Sequence, residues 1–118
     1  MNKFHQLPQV IQDTHKVIEW FIPQLEKLPR SRKFTLGERM ESRLLSFLEL
    51  LIEAAYAKNK MPLLQEANLK IDLVRHLWRL TYNLGNISVK QYEVGAKHLV
   101  SLGMQVGGWL KSQQRGCS

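Results

Sequence analysis

Apolar residues recur along this chain at steps of three and four, and prolines and glycines divide the pattern into four blocks. The first block carries Val10, Ile11, Val17, Ile18, Phe21 and Leu25 on one side of a helix and predicts a helix over about residues 8–28. Pro23 lies inside it, which predicts a kink or break near Phe21, because proline removes a backbone donor and crowds the preceding turn. The stretch "PRSRKF" then reads as a basic connector. Thr35, with Glu38 three residues on, has capping-box spacing and predicts the start of a second helix over 35–58. Pro62 suits the first turn of a third helix, over 62–84, which "NLGN" should stop. Ser88 with Gln91 repeats the capping-box spacing and opens a fourth helix over 88–114. No alternating pattern predicts a strand. Four such helices on short loops describe an all-α, antiparallel up-down-up-down bundle forming a single domain over residues 1–118.

The third block is apolar around much of its circumference. Leu64, Ala67, Ile71, Val74 and Trp78 make one stripe, and Leu69, Leu73, Leu77, Leu80 and Leu84 make a second beside it. A surface helix needs one stripe of about 100°. In the second block Met40, Leu44, Phe47, Leu48, Leu51 and Ala55 form a core face, which leaves Leu45, Leu50, Ile52 and Tyr56 for another surface. Apolar excess on this scale marks protein interfaces. The expectation is a homo-oligomer with Leu45, Ile52, Tyr56, Leu73, Leu77 and Leu80 at the subunit contact. The competing reading has the loops and the bent first helix covering those side chains.

Arg75 and Arg79 stand in the narrow polar strip of the third helix. They admit two readings, a local ion pair of Arg75 with Asp72 or contact with a partner. Charge bears on the choice. Seventeen Lys and Arg against ten Asp and Glu give the 118 residues a net charge of +7, which suits an acidic partner such as nucleic acid. On the fourth helix Lys90, Lys97, Lys111 and Arg115 share one sector with Glu93 as the sole acid, and the connector adds Arg30, Arg32 and Lys33. Cations along a rigid surface bind a phosphate backbone by releasing its condensed counterions. Gly95, Gly103, Gly107 and Gly108 also lie in this helix, at a cost of about 1 kcal/mol each relative to alanine. Gly103 and Gly107 fall on its apolar face and predict close approach by a neighbouring backbone.

Candidate chemistry is sparse. His5, His15, His76 and His98 have no metal-ligand spacing, and neither a nucleophile motif nor a phosphate-cradling glycine loop occurs. The expectation is a non-enzymatic protein without metal or cofactor. Cys117 can form no disulfide within the chain, no secretory leader or membrane span is read, and the expected location is the cytoplasm.

In order and spacing, "VIEWFIPQLEKLPRSRKF", "LVRHLWRL" and "LVSLGMQVGGWLK" resemble the accessory variability determinant (Avd) proteins of diversity-generating retroelements. Those proteins are relatives of the four-helix proteins encoded in intervening sequences of ribosomal RNA genes. The likeness covers about residues 15–114. It implies a ring-like pentamer with a basic surface that binds RNA and DNA and partners a reverse transcriptase during mutagenic cDNA synthesis. It also implies that Arg75 and Arg79 contact that partner or the nucleic acid. The cations of the connector and fourth helix rest on the helical wheel alone. Two other readings stay open: a bundle of the ribosomal intervening-sequence type, and a protein-only scaffold for an acidic partner.

Overall fold

A computed structural model describes residues 7–116. The described residues form four long helices and no strand: α1 (Gln9–Glu26), the short α2 (Arg30–Arg32) that leads through a π-helical turn (Lys33–Gly37) into α3 (Glu38–Tyr56), then α4 (Met61–Asn83) and α5 (Val89–Gly116). Each long helix packs on its neighbours in the order α1, α3, α4, α5 and back to α1, so α1 faces α4 across the core and α3 faces α5. Trp78 of α4 is the largest fully buried side chain. Its ring meets Phe21 and Trp20 of α1 edge-on, with centroids 4.8 Å and 6.0 Å away. The whole first stripe of α4 (Leu64, Ala67, Ile71, Val74 and Trp78) is buried against Leu99, Leu102 and Val106 of α5 and Leu44, Phe47 and Leu51 of α3.

The ends of the helices follow local chemistry. At the start of α5, Ser88 Oγ accepts from the Gln91 backbone N–H and Gln91 Oε1 accepts from the Ser88 N–H, both at 3.0 Å, which completes the capping box. At the end of α4, Gly85 adopts φ +78°, which favours glycine. Its N–H bonds Tyr82 O while the Asn86 N–H bonds Thr81 O, the paired bonds of a Schellman stop. At the end of α3, the Lys60 ammonium donates to the carbonyls of Ala54 (2.8 Å) and Ala57 (2.7 Å), a cationic cap on carbonyls with no helical partner.

Three sequence expectations are corrected. Thr35 does not open the second helix. Pro29 precedes a helical segment that begins at Arg30, and Thr35 Oγ1 donates back to Ser31 O at 3.0 Å instead of capping. The basic connector is therefore helical, and proline at its threshold presets φ for the first turn. Pro23 does not break α1, which runs on to Glu26. Leu50, assigned to an outer surface, is buried at the edge of the core, while Leu48 and Ala55 are only half-buried.

The glycines of α5 also differ from expectation. A Cβ on Gly95 would lie 2.5 Å from Trp78 Nε1, so the absent side chain admits the indole, which donates to Tyr92 O at 3.0 Å. A Cβ on Gly103 would make ordinary contact with Ile71 at 3.9 Å. Around a Cβ placed on Gly107 or Gly108 nothing lies within 4 Å, so no neighbouring backbone among the described residues approaches Gly107.

Candidate nucleic-acid interface

Between α4 and α5 the surface sinks into a groove of ≈ 250 Å³. Arg75, His76 and Arg79 rise from its α4 side, Tyr92, Ala96 and Val100 line its α5 side, and Trp78 lies at its base. Helical spacing places the two arginines one turn apart on the same wall. Asp72, one turn earlier, sits 3.6 Å from Arg75 Nη1 and 3.8 Å from His76 Nε2. Both Arg75 and Asp72 are half exposed, so this pair contributes little to stability and leaves most guanidinium donors to solvent. Arg79 donates from Nε to Asn83 Oδ1 at 3.3 Å, and its guanidinium carbon is 5.8 Å from the centre of the Tyr92 ring. Tyr92 in turn stacks on Tyr82, with centroids 4.8 Å apart. The guanidinium is thus held beside an aromatic pair at the mouth of the groove.

The remaining cations do not form one patch. Lys97 lies on α5 beyond the groove wall, in a shallow depression shared with Ala96, Val100 and Met104. Lys90 is exposed at the start of α5, near the end of the bundle that carries Arg30, Arg32 and Lys33. A hydrogen bond from Gln91 Nε2 to Gln24 Oε1, 2.9 Å long, fixes the start of α5 beside the end of α1 and so gathers this cluster. Arg30 is exposed, whereas Arg32 and Lys33 are half-buried, and Arg32 Nε has no hydrogen-bond partner. Lys111 and Arg115 belong to the other end, since 14 residues of helix place Lys111 about 21 Å from Lys97. The arrangement therefore has a cation-rich end and groove on one side and a distant basic tip on the other.

Among the candidate interface residues, Leu45, Tyr56 and Leu80 are exposed, and Ile52, Leu73 and Leu77 are half-buried. Among the described residues the most exposed of the large apolar side chains sits elsewhere. Met104 on α5 is 73% exposed, with Val100 beside it and Leu69 facing it from α4. Sequence reasoning placed Leu69 in the second stripe of the third helix but missed Val100, Met104 and Tyr92. The available signal was the helical wheel of α5, on which Met104 shares the sector of Lys90 and Lys97.

No group of three or more His, Cys, Asp or Glu among the described residues could hold a metal ion. No helix among them is long and apolar enough to cross a membrane. His5 and Cys117 lie outside the described residues.

The fold defines a small four-helix bundle with two arginines on the wall of its α4/α5 groove. More particularly, the chain belongs to the bAvd-like family, whose profile matches residues 9–113. No curated protein and no solved structure matched it.

Proposed function

We propose that this chain is a non-enzymatic accessory protein of a diversity-generating retroelement. As an oligomer, a pentamer by family resemblance, it holds RNA and DNA near a reverse transcriptase during mutagenic cDNA synthesis. The observation that carries the reading is the α4/α5 groove, with Arg75 and Arg79 one turn apart on its wall in a chain of the bAvd-like family. Arg30, Arg32 and Lys33 at the same end of the bundle extend the positive field, and Lys90, Lys97, Lys111 and Arg115 carry it along α5. Binding of this kind is electrostatic positioning: phosphate contacts fix the strand's place and carry no base identity. The exposed apolar residues of α3, α4 and α5 supply the subunit contacts and bring the cations of several copies together.

The test is reconstitution. A retroelement reverse transcriptase should co-purify with this protein and copy a template repeat more efficiently in its presence. Replacing Arg75 and Arg79 by alanine should remove both effects while the helical circular dichroism is unchanged. Undiminished co-purification and copying by that variant would overturn the assignment of the groove. The ribosomal intervening-sequence reading predicts a gene inside a ribosomal RNA locus, whereas the retroelement reading predicts a neighbouring reverse transcriptase gene and paired repeats. A scaffold for an acidic protein would show no RNA affinity near physiological salt.

A further inference from the structure

Two outer ridges of the bundle match one another. The outer face of α3 carries the exposed Glu38, Leu45, Glu49 and Tyr56, with half-buried Ile52 at its edge, at steps of 7, 4, 3 and 4. On the outer face of α5 the exposed Lys90, Lys97, Ser101, Met104 and Gly108 follow the same steps, with Glu93 among them. The first ridge is acidic: Glu38, Glu41, Glu49 and Glu53 are four of the chain's ten acids, and Arg39 and Arg43 lie about 100° or more around the helix. The second is basic, with Glu93 its one acid. Each carries exposed apolar area, Leu45 and Tyr56 on one, Val100 and Met104 on the other. Because α3 and α5 are diagonal in the bundle, the ridges face away from each other and cannot meet within one subunit.

The ridges also stand at the same level. A Cβ on Gly37 would lie 3.8 Å from Leu25 O, and Gln91 bonds Gln24, so residues 37 and 91 share one height on α1. α3 and α5 run in the same direction from there. In a ring whose axis follows the bundle, neighbours differ by rotation alone, and residues of equal height meet.

We propose that a second copy of this chain occupies each ridge, the acidic α3 ridge of one subunit lying in parallel on the basic α5 ridge of the next. Glu38 then meets Lys90, Leu45 covers the Lys97 stem, Ile52 meets Met104, and the Tyr56 ring lies on Gly108. The contact accounts for the glycine at position 108, which nothing inside the subunit requires, as a flat seat for the incoming ring. One like-charged pair arises, Glu41 with Glu93, and Lys90 and Lys97 flank it one turn to either side. Being heterologous, the contact leaves a free acidic ridge and a free basic ridge at the two ends of any open chain, and closure into a ring consumes both. In the assembly Lys90 and Lys97 thus serve the subunit seam in place of the phosphate contacts proposed for them above, and those contacts fall to Arg75 and Arg79, on α4 beside the seam.

This inference rests on the proposed self-association and is tested by sedimentation velocity, with circular dichroism to verify folding. The variants are Glu38→Lys with Glu49→Lys, Lys90→Glu with Lys97→Glu, and all four together. Each pair alone should weaken association at least tenfold, and the fourfold variant should restore it. Gly108→Leu, placed in open space, should keep the subunit folded and also weaken association. Pairs that assemble like the wild type, or a fourfold variant weaker than either pair, would overturn this contact and leave self-association standing. A wild-type protein that stays monomeric would remove self-association itself, and this contact with it.

Discussion

At the scale of single residues, Gly95 and Gly107 look alike in sequence and differ in what the fold places beside them. The Trp78 indole occupies the space of the missing Gly95 side chain, so Gly95→Ala forces the ring off its bond to Tyr92 O. Overpacking of this kind costs about 1–3 kcal/mol, and thermal unfolding should show a lowered midpoint. Gly107→Ala, with nothing within 4 Å, should instead raise subunit stability by up to about 1 kcal/mol. Helical spacing placed glycines on the faces of α5 but could not say which neighbour each one meets. That depended on where a tryptophan 17 positions earlier in the chain, Trp78, was carried by the fold. The buried stripe from Leu64 to Trp78 was readable because five positions agreed on one direction. Leu50 was misjudged because it stands at the margin of its face, where a small rotation of the helix decides burial.

At the scale of elements, the helix boundaries show why the same motif succeeded once and failed once. Ser88 follows the Gly85 stop, so nothing before it competes for the helix start, and its reciprocal bonds with Gln91 form. Thr35 follows Pro29, which had already opened a helix five residues ahead of it, so its hydroxyl turns back onto the preceding carbonyls. The consequence is measurable by chemical denaturation. Ser88→Ala should destabilise the bundle by about 0.5–2 kcal/mol, the usual loss of an N-cap. Thr35→Ala should change it far less. Lys60 carries a third signal that spacing does not reveal, since its cap on Ala54 and Ala57 needs a loop that folds the ammonium back under α3. Lys60→Met, which keeps the stem and loses the donors, should cost about 1 kcal/mol.

At the scale of the whole molecule, charge and apolar excess were both legible in the chain, but their distribution was not. The net charge of +7 resolves into a groove wall bearing Arg75 and Arg79, a cluster at one end and a separate tip around Lys111 and Arg115, opposed by an acidic ridge on α3. A helical wheel treats each helix alone. It therefore grouped Lys90 with Arg115 although the length of α5 separates them, and it could not bring Tyr92 and Val100 to the α4 arginines. The central claim is that this surface holds nucleic acid through its phosphates, and the salt dependence of RNA binding tests it most directly. The measurement is the affinity of a fluorescent single-stranded RNA across a salt series, for the wild type and for Arg75→Gln with Arg79→Gln. The account predicts a steep fall in wild-type affinity with salt and a slope in the variant shallower by about 0.7 log unit for each phosphate that the variant no longer neutralises. Equal slopes for the two proteins, or no RNA binding even at low salt, would contradict it.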